Sequence, residues 1–393
     1  MDDEDEHPIL TCVSSSARQL YLLLRCINFS EKAHVQLSEE GIKFSVDEAS
    51  AMEGSAFLDK SLFTAYTFRT PPPQRNSQNS DDEDEEDTSS TPTFQISLPS
   101  LLETLQIFGL TDPNTSKPPW ARENPTSTAF SNTVLGMNNM CRISYDTTGA
   151  PLSIILTEAT IRTTCNLTTY EPAFADEIPF DRQSIAFKTI MRGSWLFDAI
   201  SELSSTSPEK LTMVARMHRG KPYFALSSSG DLGSARVEFN NNPYPSNRPP
   251  PPPTNPNPTD AENGPQPTPH LLEIFKLSSP SSTLRNSYKF SLIQKAARAM
   301  SVATKVSVRA DTQGVLSLQF MIEVESGKIC FVDFRFVPLV DEDGDDDEGE
   351  GEETMMGDGN GDEGPSARAR DGSLGSGTAS EDEDDDDDVE MLT

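Results

Sequence analysis

Residues Asn286–Leu339 read NSYKFSLIQKAARAMSVATKVSVRADTQGVLSLQFMIEVESGKICFVDFRFVPL, and they decide the fold. A short extended piece carrying Tyr288 and Phe290 leads into a helix, where Ser291 followed by Gln294 has the spacing of a capping box. Leu292, Ala296, Ala299 and Met300 share one face of that helix, while Lys295 and Arg298 sit together on another. The period then changes to two. Lys305–Arg309, Val315–Val324 and Lys328–Val337 read as strands separated by turns at Asp311–Gly314 and Glu325–Gly327. The unit is strand, basic helix, antiparallel meander.

The same unit recurs along the chain. Pro8–Ser14 is extended and precedes a helix over Ala17–Asn28, with three serines before it as candidate caps. Ala17, Leu20, Leu24 and Ile27 form its buried stripe, and Arg18 and Arg25, seven apart, share a side. His34–Leu37, Gly41–Val46 and Ser55–Tyr66 follow as strands. A second unit has strand Phe94–Leu98, a helix opened by Ser100 with Glu103 and running through Phe108, and strands Asn139–Tyr145, Pro151–Glu158 and Ala159–Thr169. A third has strand Ser184–Ile190, helix Gly193–Ser204, and strands Leu211–Met217, Pro222–Ser227 and Ser234–Phe239. Such a repeat of one supersecondary unit restricts the architecture severely.

The expected class is α+β in two domains of two units each. An acidic extension (1–7) precedes the first domain (8–168), which carries disordered insertions at 70–93 and 111–130. A connector (169–183) leads to the second domain (184–339), with a proline-rich insertion at 240–270, and an acidic tail (340–393) closes the chain.

The formal charge of −32 is unevenly spread. The runs Asp2–Glu6, Asp81–Asp87 and 341–393 hold 35 of the 63 carboxylates and 2 of the 31 basic residues, so the remainder is nearly neutral, with 29 basic against 28 acidic. The acidic pI therefore does not exclude a nucleic-acid partner for the folded part. Cys12, Cys26, Cys141, Cys165 and Cys330 are odd in number and lie in apolar patterns, which fits reduced, buried thiols in an intracellular protein. No CxxC is present, and His7, His34, His218 and His270 lack ligand spacing, so neither a metal nor a cofactor is expected. The acidic N-terminus is wrong for a targeting peptide, and no apolar run is long enough to span a membrane. No GxxxxGK[ST] motif is present.

With that organisation in place, Gly41–Phe68, Gly220–Ser234 and above all Lys305–Phe334 resemble the Rad-one family, a subunit of the DNA-damage checkpoint clamp. The resemblance covers most of Pro8–Leu339; the insertions and tail depart from the compact animal-type version and suggest a fungal-type relative. It implies a sliding-clamp fold like that of proliferating cell nuclear antigen, with helices inside and sheets outside. The implied partners are sequence-independent double-stranded DNA, two further subunits of Rad-nine and Hus-one type, a clamp loader, and checkpoint kinases and repair enzymes, all in the nucleus. Arg18, Arg25, Lys295 and Arg298 are then the DNA-facing candidates, set against a role as ordinary solvated helix charges; Lys188 and Arg192 follow them. In the connector, Tyr170, Phe174 and Phe180 either hold a partner peptide or pin the loop.

Two alternatives stay open at this point. One is a self-trimerising replication clamp. The other is a three-prime exonuclease; a two-cation site needs carboxylates that converge from ordered segments, whereas Asp47, Glu48, Asp198 and Glu202 are scattered in the folded part and Asp198 with Glu202 is an ordinary i, i+4 helix pair. The tail has three readings: solubility, screening of the DNA channel, or docking of a basic partner. Ser77–Gln78, Ser80 and Ser380 have the sequence context of kinase sites.

Overall fold

The lead strand of each unit leaves its own meander and pairs with that of its neighbour. In the first unit Leu10–Ser14 (β1) runs into helix Ala17–Leu24 (α1), then Lys32–Leu37 (β2), Gly41–Glu48 (β3), Met52–Asp59 (β4) and a short Ala65–Phe68 (β5). The second has Thr93–Ser97 (β6), Leu98–Leu105 (α2), Met140–Tyr145 (β7), Leu152–Glu158 (β8) and Ile161–Leu167 (β9). β1 pairs with β7 and β6 with β2, all antiparallel, so each unit completes the other's sheet. The second half repeats the exchange. Ile185–Arg192 (β10), Gly193–Leu203 (α3), Pro208–His218 (β11), Lys221–Gly230 (β12) and Gly233–Asn240 (β13) form its first unit. Ile274–Leu277 (β14), Leu284–Lys289 (β15), Phe290–Lys295 (α4), Ala297–Val302 (α5), Lys305–Asp311 (β16), Leu316–Glu323 (β17) and Ile329–Phe336 (β18) form its second. There β10 pairs with β16 and β15 with β11.

This computed structural model describes residues 7–70, 91–107, 140–158, 161–172, 177–240, 271–324 and 327–340. The expected insertions and tail, the kinase-context serines and Phe174 lie outside the described residues, borders apart.

Among the described residues three sheets result. β5-β1-β7-β8-β9 and β13-β12-β11-β15 stand alone, and β14-β10-β16-β17-β18 joins β4-β3-β2-β6 into nine strands. The join is the β18–β4 ladder, Val332↔Ala56 through Phe336↔Met52, which stitches the two halves together by backbone hydrogen bonds. Each half encloses one core between the inner faces of two sheets and its helices. In the first, Leu10, Val35, Phe44 and Ile143 meet Leu20, Leu24, Leu101 and Leu105; in the second, Leu211, Phe224, Val308 and Leu318 meet Leu196, Ile200, Ile293 and Met300. Burying each such side chain contributes about 1.5–3 kcal/mol.

The predicted stripe of α1 is buried as expected, but local details differ in four places. The strand expected over Ser55–Tyr66 stops at Asp59, whose carboxylate accepts the Ser61 N–H at 2.8 Å, and β5 peels off to pair with β1. The cap of α2 is Ser97, which accepts the Ser100 N–H, so the Ser100/Glu103 box is not used. Pro99 requires this, since it is tolerated only in a first turn. Helix α4 starts at Phe290 with Lys289 as its N-cap residue, leaving Ser291 inside the first turn and no capping box. Finally, the basic helix breaks at Ala296, whose N–H bonds the Ile293 carbonyl three residues back at 3.1 Å. On α4 the buried residue is Ile293, with Leu292 only partly buried.

α3 begins against the end of α5. A Cβ on Gly193 would lie 2.6 Å from the Ala303 carbonyl oxygen, so only glycine permits this approach.

Candidate nucleic-acid interface and connector

The helices form a continuous row. α2 packs on α1, the tight turn Arg25–Ile27 that extends α1 packs on α5, and α5 packs on α3. The middle of the row is basic. Neither 17–27 nor 290–302 contains an acidic residue, while Arg25 and Arg298 are exposed and Arg18 and Lys295 half-exposed. The flanks are acidic: α2 exposes Glu103, and α3 exposes Asp198 and Glu202.

Arg25 and Arg298 come from opposite halves, on elements that pack against each other. Burial pushes Cys26 up to about 12, with Arg298 and then Arg25 pulling it down. The Arg25 guanidinium also lies 5.7 Å from the Tyr21 ring centroid. Lys295 is engaged differently, pairing with Glu48 at 2.7 Å and standing 5.8 Å above the Phe29 ring. Lys188 points away from the helices, since its neighbours Phe187 and Thr189 are the buried ones; Arg192 stacks on Trp195 at 5.2 Å. The carboxylates considered for a cation site do not converge. Asp47 accepts the Ser50 N–H, Glu48 holds Lys295, and Asp198 and Glu202 are on α3. Among the described residues no group of three His, Cys, Asp or Glu side chains is placed to hold a metal, and no helix is long and apolar enough to cross a membrane.

The connector is fastened to the outer face of the nine-stranded sheet. Tyr170 exchanges two backbone hydrogen bonds with Gln95 of β6, at 2.8 and 2.9 Å, and Lys32 lies over its ring at 4.6 Å. Ile178 is buried, its N–H bonded to Glu53 Oε2 at 3.1 Å and its carbonyl accepting from Arg335 at 2.6 Å. Glu177 pairs with Lys43 and Arg335. Phe180 sits under Arg309, 5.6 Å from ring centroid to guanidinium. So Tyr170 is 44% exposed with its backbone pinned, while Phe180 is part of the fastening itself.

Glu53 is the anchor residue here. Burial raises its carboxyl above the ordinary range, and Arg335 opposes that shift. Because the folded value is raised, this group's contribution to stability is fully present below the ordinary carboxylate pKa and is lost as pH rises through the folded value. Glu53→Gln is therefore expected to flatten that part of the pH–stability curve while keeping an acceptor for the Ile178 N–H. Glu53→Ala leaves that N–H unpaired and is expected to cost about 1–3 kcal/mol at neutral pH. Urea denaturation of both variants between pH 4 and 8 is the check; equal losses for Gln and Ala would remove the anchoring role.

Beyond the connector the same outer face carries apolar side chains that sequence reading passed over. Phe57 is 37%, Phe331 44% and Ile329 56% exposed. Phe57 follows Ala56 and Phe331 precedes its partner Val332, so both side chains are on this face where the β18–β4 ladder ends, with Met321 opposite Phe331. Strand parity was the available signal, since Glu53, Ser55 and Phe57 must share a face.

A row of helices on the inner side of a wall of antiparallel sheets, built from paired repeats, defines a sliding clamp. In agreement, the structure of proliferating cellular nuclear antigen from Entamoeba histolytica superposes with a TM-score of 0.55 at 12% identity, covering 85% of this chain and all of that one. The repair protein Rad1/Rec1/Rad17 family model matches residues 9–322, and the chain belongs to that family. It is 30% identical over 331 residues to the DNA damage checkpoint control protein rad1 of Schizosaccharomyces pombe, covering 83% of this chain and 86% of that protein. It is 28% identical over 338 residues to the cell cycle checkpoint protein RAD1 of Homo sapiens, covering 86% and 94%. The DNA repair exonuclease REC1 of Mycosarcoma maydis matches at 22% over 202 residues, 39% of its length. The chain is a DNA-damage checkpoint clamp protein.

Proposed function

We propose that the chain is a non-enzymatic subunit of a heterotrimeric clamp, closing head to tail with two subunits of Rad-nine and Hus-one type around duplex DNA in the nucleus. Its two domains, 8–168 and 184–339, present the helix row to the DNA, and the connector 169–183 lies outside. The observation that carries this reading is the acid-free middle of the helix row, where Arg25 and Arg298 stand on elements of opposite halves that pack together. Phosphates attract such a surface without sequence readout, and topological closure removes the need for tight contacts. Lacking a phosphate-binding loop of its own, the chain depends on an ATP-driven clamp loader. On the outer side, the exposed Tyr170, Phe57 and Phe331 offer checkpoint kinases and repair enzymes apolar docking points.

The test is the solution mass of the purified chain by light scattering, alone and with the two candidate partners. A monomer that enters a 1:1:1 assembly only when both partners are present is the expected result. A trimer of the chain alone would instead make it a self-closing processivity clamp, and the heterotrimer reading would fail.

A further inference from the structure

The four-stranded sheet has two unlike faces. Leu211, Met213, Phe224 and Leu226 face the core, so the alternate residues face outward. On this outer face stand Lys210, Arg216, Lys221, Arg236, Arg285 and Lys289, and among the described residues of the ladder Glu238 is the one acid. Glu209 lies in the bulge at the start of β11 and Asp231 in the β12–β13 turn.

The other free-standing sheet serves as an internal comparison. Its outer face reads mainly as uncharged residues, threonine and serine among them, with Arg142 and Arg162 as its basic residues. Cationic density is therefore not a general property of these outer faces. Moreover, Lys210 stands directly opposite Lys289 in the β11–β15 register. The two ammonium groups thus add to one concentration of positive charge at that edge of the face.

We propose that this face is a docking surface for an extended acidic segment of a partner polypeptide. An extended chain presents alternate side chains on one side at a repeat of roughly 7 Å, the same repeat as the outward positions of the strands beneath it. Carboxylates on such a segment meet the lysines and arginines in register. Single-stranded nucleic acid fits less well, because it binds by stacking bases on exposed rings. Tyr223, the phenol on this face, is 9% exposed, flanked by Arg216 at 5.0 Å and Arg236 at 5.7 Å, with its hydroxyl donating to Glu238. Duplex DNA against the helix row is on the other side of the sheet.

The test uses the full chain at low salt, titrated against a fluorescent twelve-residue oligoglutamate and, separately, a twelve-nucleotide oligothymidine. The peptide is expected to bind, with Lys210→Glu plus Lys289→Glu weakening it about tenfold or more and Arg142→Glu plus Arg162→Glu leaving it unchanged. Lys289→Gln separates binding from folding: it removes one cation, so peptide affinity is expected to fall while the melting temperature stays where it was. Absence of peptide binding, equal losses from both charge-reversed pairs, or tighter binding of the oligonucleotide with the same residue dependence would each overturn the proposal.

Discussion

Phe334→Ala is expected to lower stability by about 3–5 kcal/mol, the range for emptying a buried phenylalanine site. Phe334 is fully buried on β18, directly opposite Gly54 in the ladder that joins the halves. Its ring meets those of Phe29 at 6.2 Å, Phe320 at 5.7 Å and Phe336 at 6.3 Å. Gly54 is what makes room: a Cβ there would lie 2.7 Å from the Phe29 ring and 3.0 Å from that of Phe334. Removing the Phe334 ring opens a space that the glycine opposite cannot fill. The cost falls on the seam, so amide exchange in β4 and β18 is expected to accelerate more than in β8 or β12. Gly54→Ala alone is expected to cost about 1–3 kcal/mol by overpacking, and less in the Phe334→Ala background. Urea denaturation of the two single variants and the double variant gives the coupling; strictly additive losses would show that ring and glycine do not share one space.

What the sequence made legible follows from periodicity. Ala17, Leu20, Leu24 and Ile27 announce a helix face, and the alternation over Lys305–Asp311 and Leu316–Glu323 announces strands, because burial imposes those periods directly. Less visible were features that depend on competition between near-equal local signals. Ser97 and Ser100 both offer a cap, and only the first-turn requirement of Pro99 separates them. β14 is too short for a period, and its existence depends on the edge of β10 being available. Invisible altogether were interactions between residues far apart in sequence. The exchange of lead strands between units, the Glu53–Arg335–Glu177 cluster and the Lys295–Glu48 pair have no local signature. The candidate site divides along the same line: that its helices were basic could be read, but which cations meet an acid could not.

That division makes the DNA-facing reading testable at the level of single charges. Arg25→Glu with Arg298→Glu is expected to weaken retention of duplex DNA by the assembled clamp and to reduce the slope of log affinity against log salt by roughly 2, about one for each phosphate no longer neutralised. Both side chains are exposed, so the fold should tolerate the change. Lys295 and Glu48 together contribute no net charge, so Lys295→Gln with Glu48→Gln should leave the slope where it was, although Lys295→Gln alone exposes an unpaired carboxylate and should weaken binding. The acidic flank gives the converse. Asp198→Asn with Glu202→Gln on α3 removes repulsion at the edge of the row and should tighten binding at low salt, with the gain fading as salt rises. If instead the slope ignored Arg25 and Arg298 while responding to outer-face charges, the helix row would not be the surface that meets DNA. The pattern across these variants matters more than any one loss, because misfolding lowers affinity without regard to the sign of the charge replaced, whereas a phosphate does not.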